Sequence, residues 1–208
     1  MDNDKSNEAT ADPVAVIKGK LCELVRFAAL SRLKVHTDCE EIEQAELGES
    51  FRPGRILANN MVFILASGEP VRVTFKAHFN IDTAKDLAFR VFGGDSAATI
   101  SEKRAVDYFK EYSNLVAGSV VTLFEKIEIE LGISLPLSTR GFYEVFADYQ
   151  ERQQPIISYS DFWALKVNGH TVFCSALLEI LDRQRLEKLI NFDVTEAEDN
   201  DDEEMDFL

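Results

Sequence analysis

Between Glu102 and about Leu131 runs the longest helical pattern in the chain, with Ser101 as a candidate amino-terminal cap and Gly132 as its end. Taken at roughly 100° per residue, Ala105, Phe109, Tyr112, Val116, Val120, Leu123 and Ile127 gather on one side. The opposite side carries Arg104, Asp107, Glu111, Asn114, Leu115, Gly118 and Thr122. A helix with one long apolar stripe must bury it against another apolar surface, so the rest of the chain has to supply a broad one.

Strands supply it. Ile56 to Ala66 and Val71 to Phe79 are apolar stretches separated by Ser67, Gly68, Glu69 and Pro70. Within the second, Val71, Val73, Phe75, Ala77 and Phe79 alternate with period two, and together the stretches predict a hairpin. A second hairpin is predicted beyond the polar loop 150–155, turning on Asn168 and Gly169, which suit a type I′ turn. Pro13 opens a first helix in which Ile17, Leu21, Leu24, Val25 and Ala28 recur up to about Ser31. A strand is expected from Val35 through Glu46, followed by a turn-rich loop from Gly48 to Gly54. Asp82 is the cap candidate for a short helix carrying Ala84, Leu87, Ala88, Val91 and Phe92 and ended by Gly93 and Gly94. A strand from about Leu135 to Phe146 and a last helix from Arg183 to Ile190 complete the pattern.

Written as elements, 13–94 and 100–191 share one order: long helix, strand, two-stranded hairpin, short helix. That order implies a pseudo-two-fold internal repeat within a single domain spanning 13–191. The expected class is α/β in the broad sense with an α+β layout, an antiparallel sheet bearing the two long amphipathic helices on one face. Residues 1–12 read as a flexible amino terminus, and 192–208 as an acidic, disordered tail with little to bury.

Composition narrows the function classes. With 208 residues, 46% hydrophobic, the chain can bury an ordinary core unaided. A net charge of -15 repels a nucleic-acid backbone, so no nucleic-acid partner is expected. No apolar run approaches the roughly 20 residues that cross a bilayer, so no membrane partner is expected either. The amino terminus is polar and acidic, unlike a secretory signal. Cys22, Cys39 and Cys174 are odd in number and widely spaced, and read as reduced thiols. A cytoplasmic location is expected.

The outward side of the long helix holds the candidate chemistry. Glu111 and Asn114, three apart, are neighbours on it. Gly118, one turn further, removes a side chain where another protein could approach, and an exposed Leu115 beside it makes the face a docking surface. Glu-x-x-Asn alone is weak, since a chain of ordinary composition offers about one by chance. Its surroundings carry more. The order and spacing of FNIDTAKDLAFRVFGG, DYFKEYSNLVAG and ELGISLPLSTRG resemble the CheX/CheC/FliY chemotaxis phosphatases. In that family a helix ends in Gly-Gly, a longer one bears Glu-x-x-Asn-x-x-x-Gly, and a strand has a central proline followed by glycine. Glu111, Asn114, Gly118, Pro136 and Gly141 fit those positions.

The resemblance implies a CheC/CheX-like fold and hydrolysis of the aspartyl-phosphate of a CheY-like response regulator. It assigns Glu111 and Asn114 the catalytic roles; Asp107, Leu115 and Gly118, on the same outward side of the helix, are the expected partner-binding residues. It also implies that the phosphorylated receiver brings the Mg²⁺, so no metal or cofactor of the chain's own is expected, and that the chain forms a homodimer. The chemistry of the side chains agrees. An asparagine amide neither removes a proton usefully nor forms a stable phosphoenzyme, but it can donate and accept hydrogen bonds to one water. A glutamate can offer a charge-assisted contact to a partner's lysine.

The sequence departs from the family at two places: Ser113 stands where relatives have glycine, which is expected to affect how closely a receiver packs, and Tyr112 is bulkier than the usual aliphatic. In the first helix the corresponding residues are Glu23 and Arg26, and an arginine cannot orient water as an amide does, so that half is expected to be inactive. Alternatives are a catalytically silent receiver-binding or adaptor protein of a chemotaxis or two-component pathway, and a domain that only dimerises through a sheet edge. His36, His78 and His170 are isolated and read as surface or satisfied strand histidines. Gly93-Gly94-Asp95 reads as a helix terminus, Trp163 as a sheet residue, and Ser160, Asp161 and His170 lack a nucleophile elbow.

Overall fold

The computed structural model describes residues 12–47, 58–93, 95–140 and 156–195. Helix α1 runs Pro13–Thr37, opened by Asp12, whose carboxylate accepts the Val14 N–H at 3.0 Å. Strand β1 is Ile42–Glu46, β2 Asn60–Ser67 and β3 Val71–Phe79; α2 follows at Ile81–Phe92. Helix α3 spans Glu102–Glu125, β4 Gly132–Ile133 and β5 Leu137–Arg140. The second hairpin is β6, Ile157–Val167, and β7, His170–Ile180, with a 3-10 helix at Gln184–Asn191.

All the strand pairings are antiparallel, in the order β1-β6-β7-β3-β2-β4, with β5 also on β2. Exchanging β1 for the β4–β5 strand, β2 for β6 and β3 for β7 turns that order into its own reverse. The α+β layout and the pseudo-two-fold order are therefore present in the topology, with the axis between β3 and β7 and the two long helices packed across it. Each hairpin completes itself on the first strand of the other half. The hairpin turn has Asn168 at φ 51° and Gly169 at φ 80°, the left-handed pair that a type I′ turn requires.

The core lies between the helices and one sheet face, where Val62, Ile64, Val73, Phe75, Ala77, Trp163, Leu165, Cys174 and Leu178 are buried. Tyr112 donates its hydroxyl hydrogen to the Ala29 carbonyl at 2.8 Å, and Phe109 stacks on Phe79 with centroids 3.9 Å apart. The opposite sheet face is not the solvated stripe that alternation suggests. Arg72, Lys76 and His78 are buried there, Arg72 pairing with Glu179 at 3.2 Å and the His78 ring meeting Ser175 Oγ at 3.0 Å.

Several element ends differ from the sequence expectation. Helix α1 continues past Ser31 to Thr37, because Leu33 and Thr37 still face the core, and Asp38 ends it at φ 50°. The strand expected from Val35 is confined to Ile42–Glu46. Helix α3 ends at Glu125, not near Leu131; Glu128 at φ 61° reverses the chain, and Gly132 begins β4 instead of closing the helix. Asn80, not Asp82, occupies the cap position of α2, whose Val91 and Phe92 are substantially exposed. The last helix is 3-10 throughout. Val194 is buried and Phe192 packs on the core, so the first residues of the expected tail belong to the folded unit. The expected strand beyond Arg140, residues 1–11 and the tail from 196 lie outside the described residues.

Candidate functional site

Helix α3 packs against α1, α2 and strand β2, so burial extends well beyond the predicted stripe. Tyr108, Ser113, Ala117, Ser119 and Phe124 are buried as well. One outward strip remains: Arg104, Asp107, Glu111 and Asn114 are exposed, and Leu115, Gly118 and Thr122 half-buried. The anchors that set this rotation sit beside the pair. Ser101 caps the helix through the Arg104 N–H at 3.2 Å, while the Tyr112 hydroxyl is tied to α1 and Ser113 donates to the Phe109 carbonyl at 2.8 Å. With Tyr112 and Ser113 locked inward, the residues on either side of them face out.

Among the described residues, no hydrogen bond or ion pair engages the Glu111 carboxylate or the Asn114 amide. An exposed carboxylate and amide one turn apart, both without an internal partner, are free to bind an external one. Gly118 adds to this face. A Cβ there would meet no heavy atom within 4 Å, so packing within the chain does not demand glycine at that position. Leu115 lies between them. Asp107 stands somewhat apart, paired with Lys110 at 3.6 Å and bordering a cleft of about 470 Å³ shared with Lys103, Thr139 and Arg140.

The expectation for Ser113 is corrected: its side chain is fully buried in the helix packing and has no surface on which a receiver could rest. Pro136 sits between β4 and β5, and Gly141 lies outside the described residues. At the equivalent place on α1, Arg26 is turned towards the sheet. Its guanidinium donates to both carboxylate oxygens of Asp161 at 2.7 and 2.6 Å, pairs with Glu46, and lies 5.7 Å from the centre of the Trp163 ring. Asp161 is thereby a clamp for Arg26. Ser160 projects from the opposite face of β6 and His170 meets Asp86 at 3.5 Å, so these three form no hydrolase set.

The remaining reactive side chains are quiet. Burial pushes the Cys22 thiol up to about 12 and raises Cys174 as well, which leaves neither a thiolate at neutral pH. Gly93 ends α2 at φ 67°, its N–H on the Phe89 carbonyl, as a helix terminus does. Among the described residues no three His, Cys, Asp or Glu side chains converge as metal ligands. No helix among them is long and apolar enough to cross a membrane.

Sequence spacing missed His36, which comes from α1. Its ring lies 4.2 Å from Tyr108 and 6.2 Å from Tyr112, centre to centre, and Nε2 is 3.1 Å from the Tyr108 carbonyl. Because a carbonyl only accepts, Nε2 carries the proton. The imidazole thus sits against the turn of α3 that bears Glu111. Nothing in the periodicity of either helix could have joined them, since α1 was expected to stop short of residue 36.

Among the described residues, a seven-stranded antiparallel sheet with two long helices across its pseudo-axis makes a CheC/CheX-like fold. No protein-family model matches the chain, and no curated protein matches it by sequence. Solved structures do. A CheC-like superfamily protein from Shewanella sp. PV-4 is similar over 76% of this chain and 97% of its own, with a TM-score of 0.59 and 13% identity. CheX of Borrelia burgdorferi, solved in complex with CheY, BeF3 and Mg²⁺, gives a TM-score of 0.57 at 18% identity, covering 76% of this chain and 96% of that one. FliY of Thermotoga maritima covers 87% and 96%, with a TM-score of 0.52 and 13% identity.

Proposed function

We propose that this chain binds a phosphorylated CheY-like receiver on the outward face of α3 and accelerates hydrolysis of its aspartyl-phosphate. The observation that carries the reading is the exposed, internally unpartnered pair Glu111 and Asn114 on a helix otherwise buried on its flanks. The similarity in fold to a CheX crystallised with CheY supports the kind of partner.

In this mechanism the receiver contributes the phosphoryl-aspartate and the Mg²⁺, and the chain contributes two side chains. Glu111 forms a charge-assisted contact with the lysine of the receiver's active site and fixes the orientation of docking. Asn114 then lies over the phosphoryl group and holds a water in line with the bond to be broken. The water oxygen bonds to phosphorus as the bond to the aspartyl oxygen breaks. The aspartate leaves as a carboxylate, and inorganic phosphate carries away the water's protons. No covalent intermediate forms on this chain, in keeping with its lack of an activated nucleophile among the described residues.

The first half takes no part. Arg26 is committed to Asp161 and Glu46, so α1 presents neither a free amide nor an unpaired cation at the equivalent position. The test is the rate at which a phosphorylated CheY-like receiver loses phosphate with and without the chain. Asn114→Ala is expected to lower the acceleration on the order of 100-fold while leaving receiver binding close to wild type. Binding without any acceleration by the wild-type chain would instead identify a silent receiver-binding adaptor.

A further inference from the structure

We propose that His36 is a positioning residue for Glu111: its neutral ring leaves the carboxylate free for a partner's cation, and its protonated ring draws the carboxylate to itself. The proposal rests on the receiver-binding reading for its purpose, and on the geometry of α1 and α3 for its existence. The imidazole is wedged against Tyr108 and Tyr112, one helical turn apart, with Nε2–H on the Tyr108 carbonyl at 3.1 Å. Glu111 belongs to that same turn and precedes Tyr112 directly. The ring is therefore held at a fixed height on α3, against the turn whose one carboxylate is Glu111.

The groups around His36 leave Glu111 as its acidic neighbour. From α3, Tyr108 is buried and neutral, and the Tyr112 hydroxyl is spent on the Ala29 carbonyl. From α2, Phe92 stands against the edge of Tyr108 at 6.2 Å, and Arg104 of α3 is stacked over Phe92 at 4.5 Å. On α1 itself, Arg32 lies one turn before His36. Burial lowers the pKa of His36 from its ordinary 6.5, whereas the Tyr108 carbonyl and the charge of Glu111 raise it. At neutral pH the ring is uncharged, and below its pKa it becomes a second cation competing for Glu111.

The consequence is a receiver affinity that depends on His36 only where the ring is protonated, below its lowered pKa. Two measurements on the full chain test it. The first is the titration of the His36 ring by NMR, in wild type and in Glu111→Gln, with no partner present. Loss of the carboxylate is expected to lower the His36 pKa. The second is binding of a CheY-like receiver loaded with BeF3 and Mg²⁺, compared between wild type and His36→Gln at pH 7.5 and 5.5. Glutamine keeps an N–H for the Tyr108 carbonyl and cannot be protonated, and the thermal midpoint of the variant verifies that it folds. Equal affinities at pH 7.5 and a roughly twofold or larger advantage for His36→Gln at pH 5.5 are expected.

An unmoved His36 titration in Glu111→Gln, or identical pH profiles for wild type and His36→Gln with a receiver that binds, overturns the proposal. If no receiver binds either protein yet Glu111→Gln moves the titration, His36 still holds Glu111, and the receiver reading alone has failed.

Discussion

Gly118 is a glycine that packing within the chain does not require, on the face proposed to meet the receiver. Since a Cβ would meet nothing within 4 Å, Gly118→Ala is expected to raise stability by about 0.5–1 kcal/mol through helix propensity, seen as a higher urea midpoint. The same change is expected to weaken receiver binding, because the added methyl stands on the docking face. His78 makes a different prediction. Burial and the nearby Lys76 lower its pKa to about 4 from the ordinary 6.5, so the unfolded chain takes up a proton that the folded chain refuses. Stability from this residue is complete above pH 6.5 and falls as the pH drops towards 4, by about 2–3 kcal/mol in all. Unfolding free energies at pH 7 and pH 4 are expected to differ by less in His78→Gln than in wild type. At this scale the sequence was informative where one helix's periodicity decides direction: Glu111, Asn114 and the core stripe all point as expected. It was silent where a second element intervenes. Ser113 is buried because α3 is packed on several sides, and His36 joins the site only through the crossing of α1 and α3.

The elements are held in register by a few contacts that spacing cannot foretell. Arg26 ties α1 to β1 and β6 together, with both it and Asp161 largely buried. Asp161→Ala leaves the guanidinium over Trp163 with only Glu46 to balance it, and is expected to cost about 2–4 kcal/mol in denaturant unfolding. Gly68 is the opposite of Gly118. A Cβ there would stand 2.5 Å from the Glu130 carbonyl oxygen and 2.7 Å from Leu131 Cδ2, where β2 turns past the approach to β4. Gly68→Ala is expected to lower stability by about 1–3 kcal/mol through that overlap. The types of the long helices and of the two hairpins were legible because the periods of 3.6 and 2 differ so plainly. The ends were less so. Glu128 and Asp38 adopt left-handed φ without being glycine, so the signals sought in Gly132 and in the loosening pattern near Val35 pointed to the wrong residues.

For the molecule as a whole, the reversed strand order leaves β1 at one sheet edge and β4 with β5 at the other. The second edge exposes Ile133, Leu135 and Leu137, at 45, 82 and 57%. Apolar side chains along an edge that carries no further strand among the described residues invite pairing, so a homodimer is expected in sedimentation, and Leu135→Lys with Leu137→Lys is expected to yield monomers. The same topology sets the two long helices side by side with unequal fates. One presents Glu111 and Asn114 outward, and the other spends Arg26 on its own sheet. On the proposed function the asymmetry leaves a single working face per chain. Its most direct test is turnover, measured as phosphate released from a phosphorylated CheY-like receiver by substoichiometric chain. The account predicts many receivers dephosphorylated per chain by the wild type, and an acceleration lowered on the order of 100-fold by Asn114→Ala that still binds. Release at the receiver's own rate with wild type, or undiminished turnover by Asn114→Ala, contradicts it.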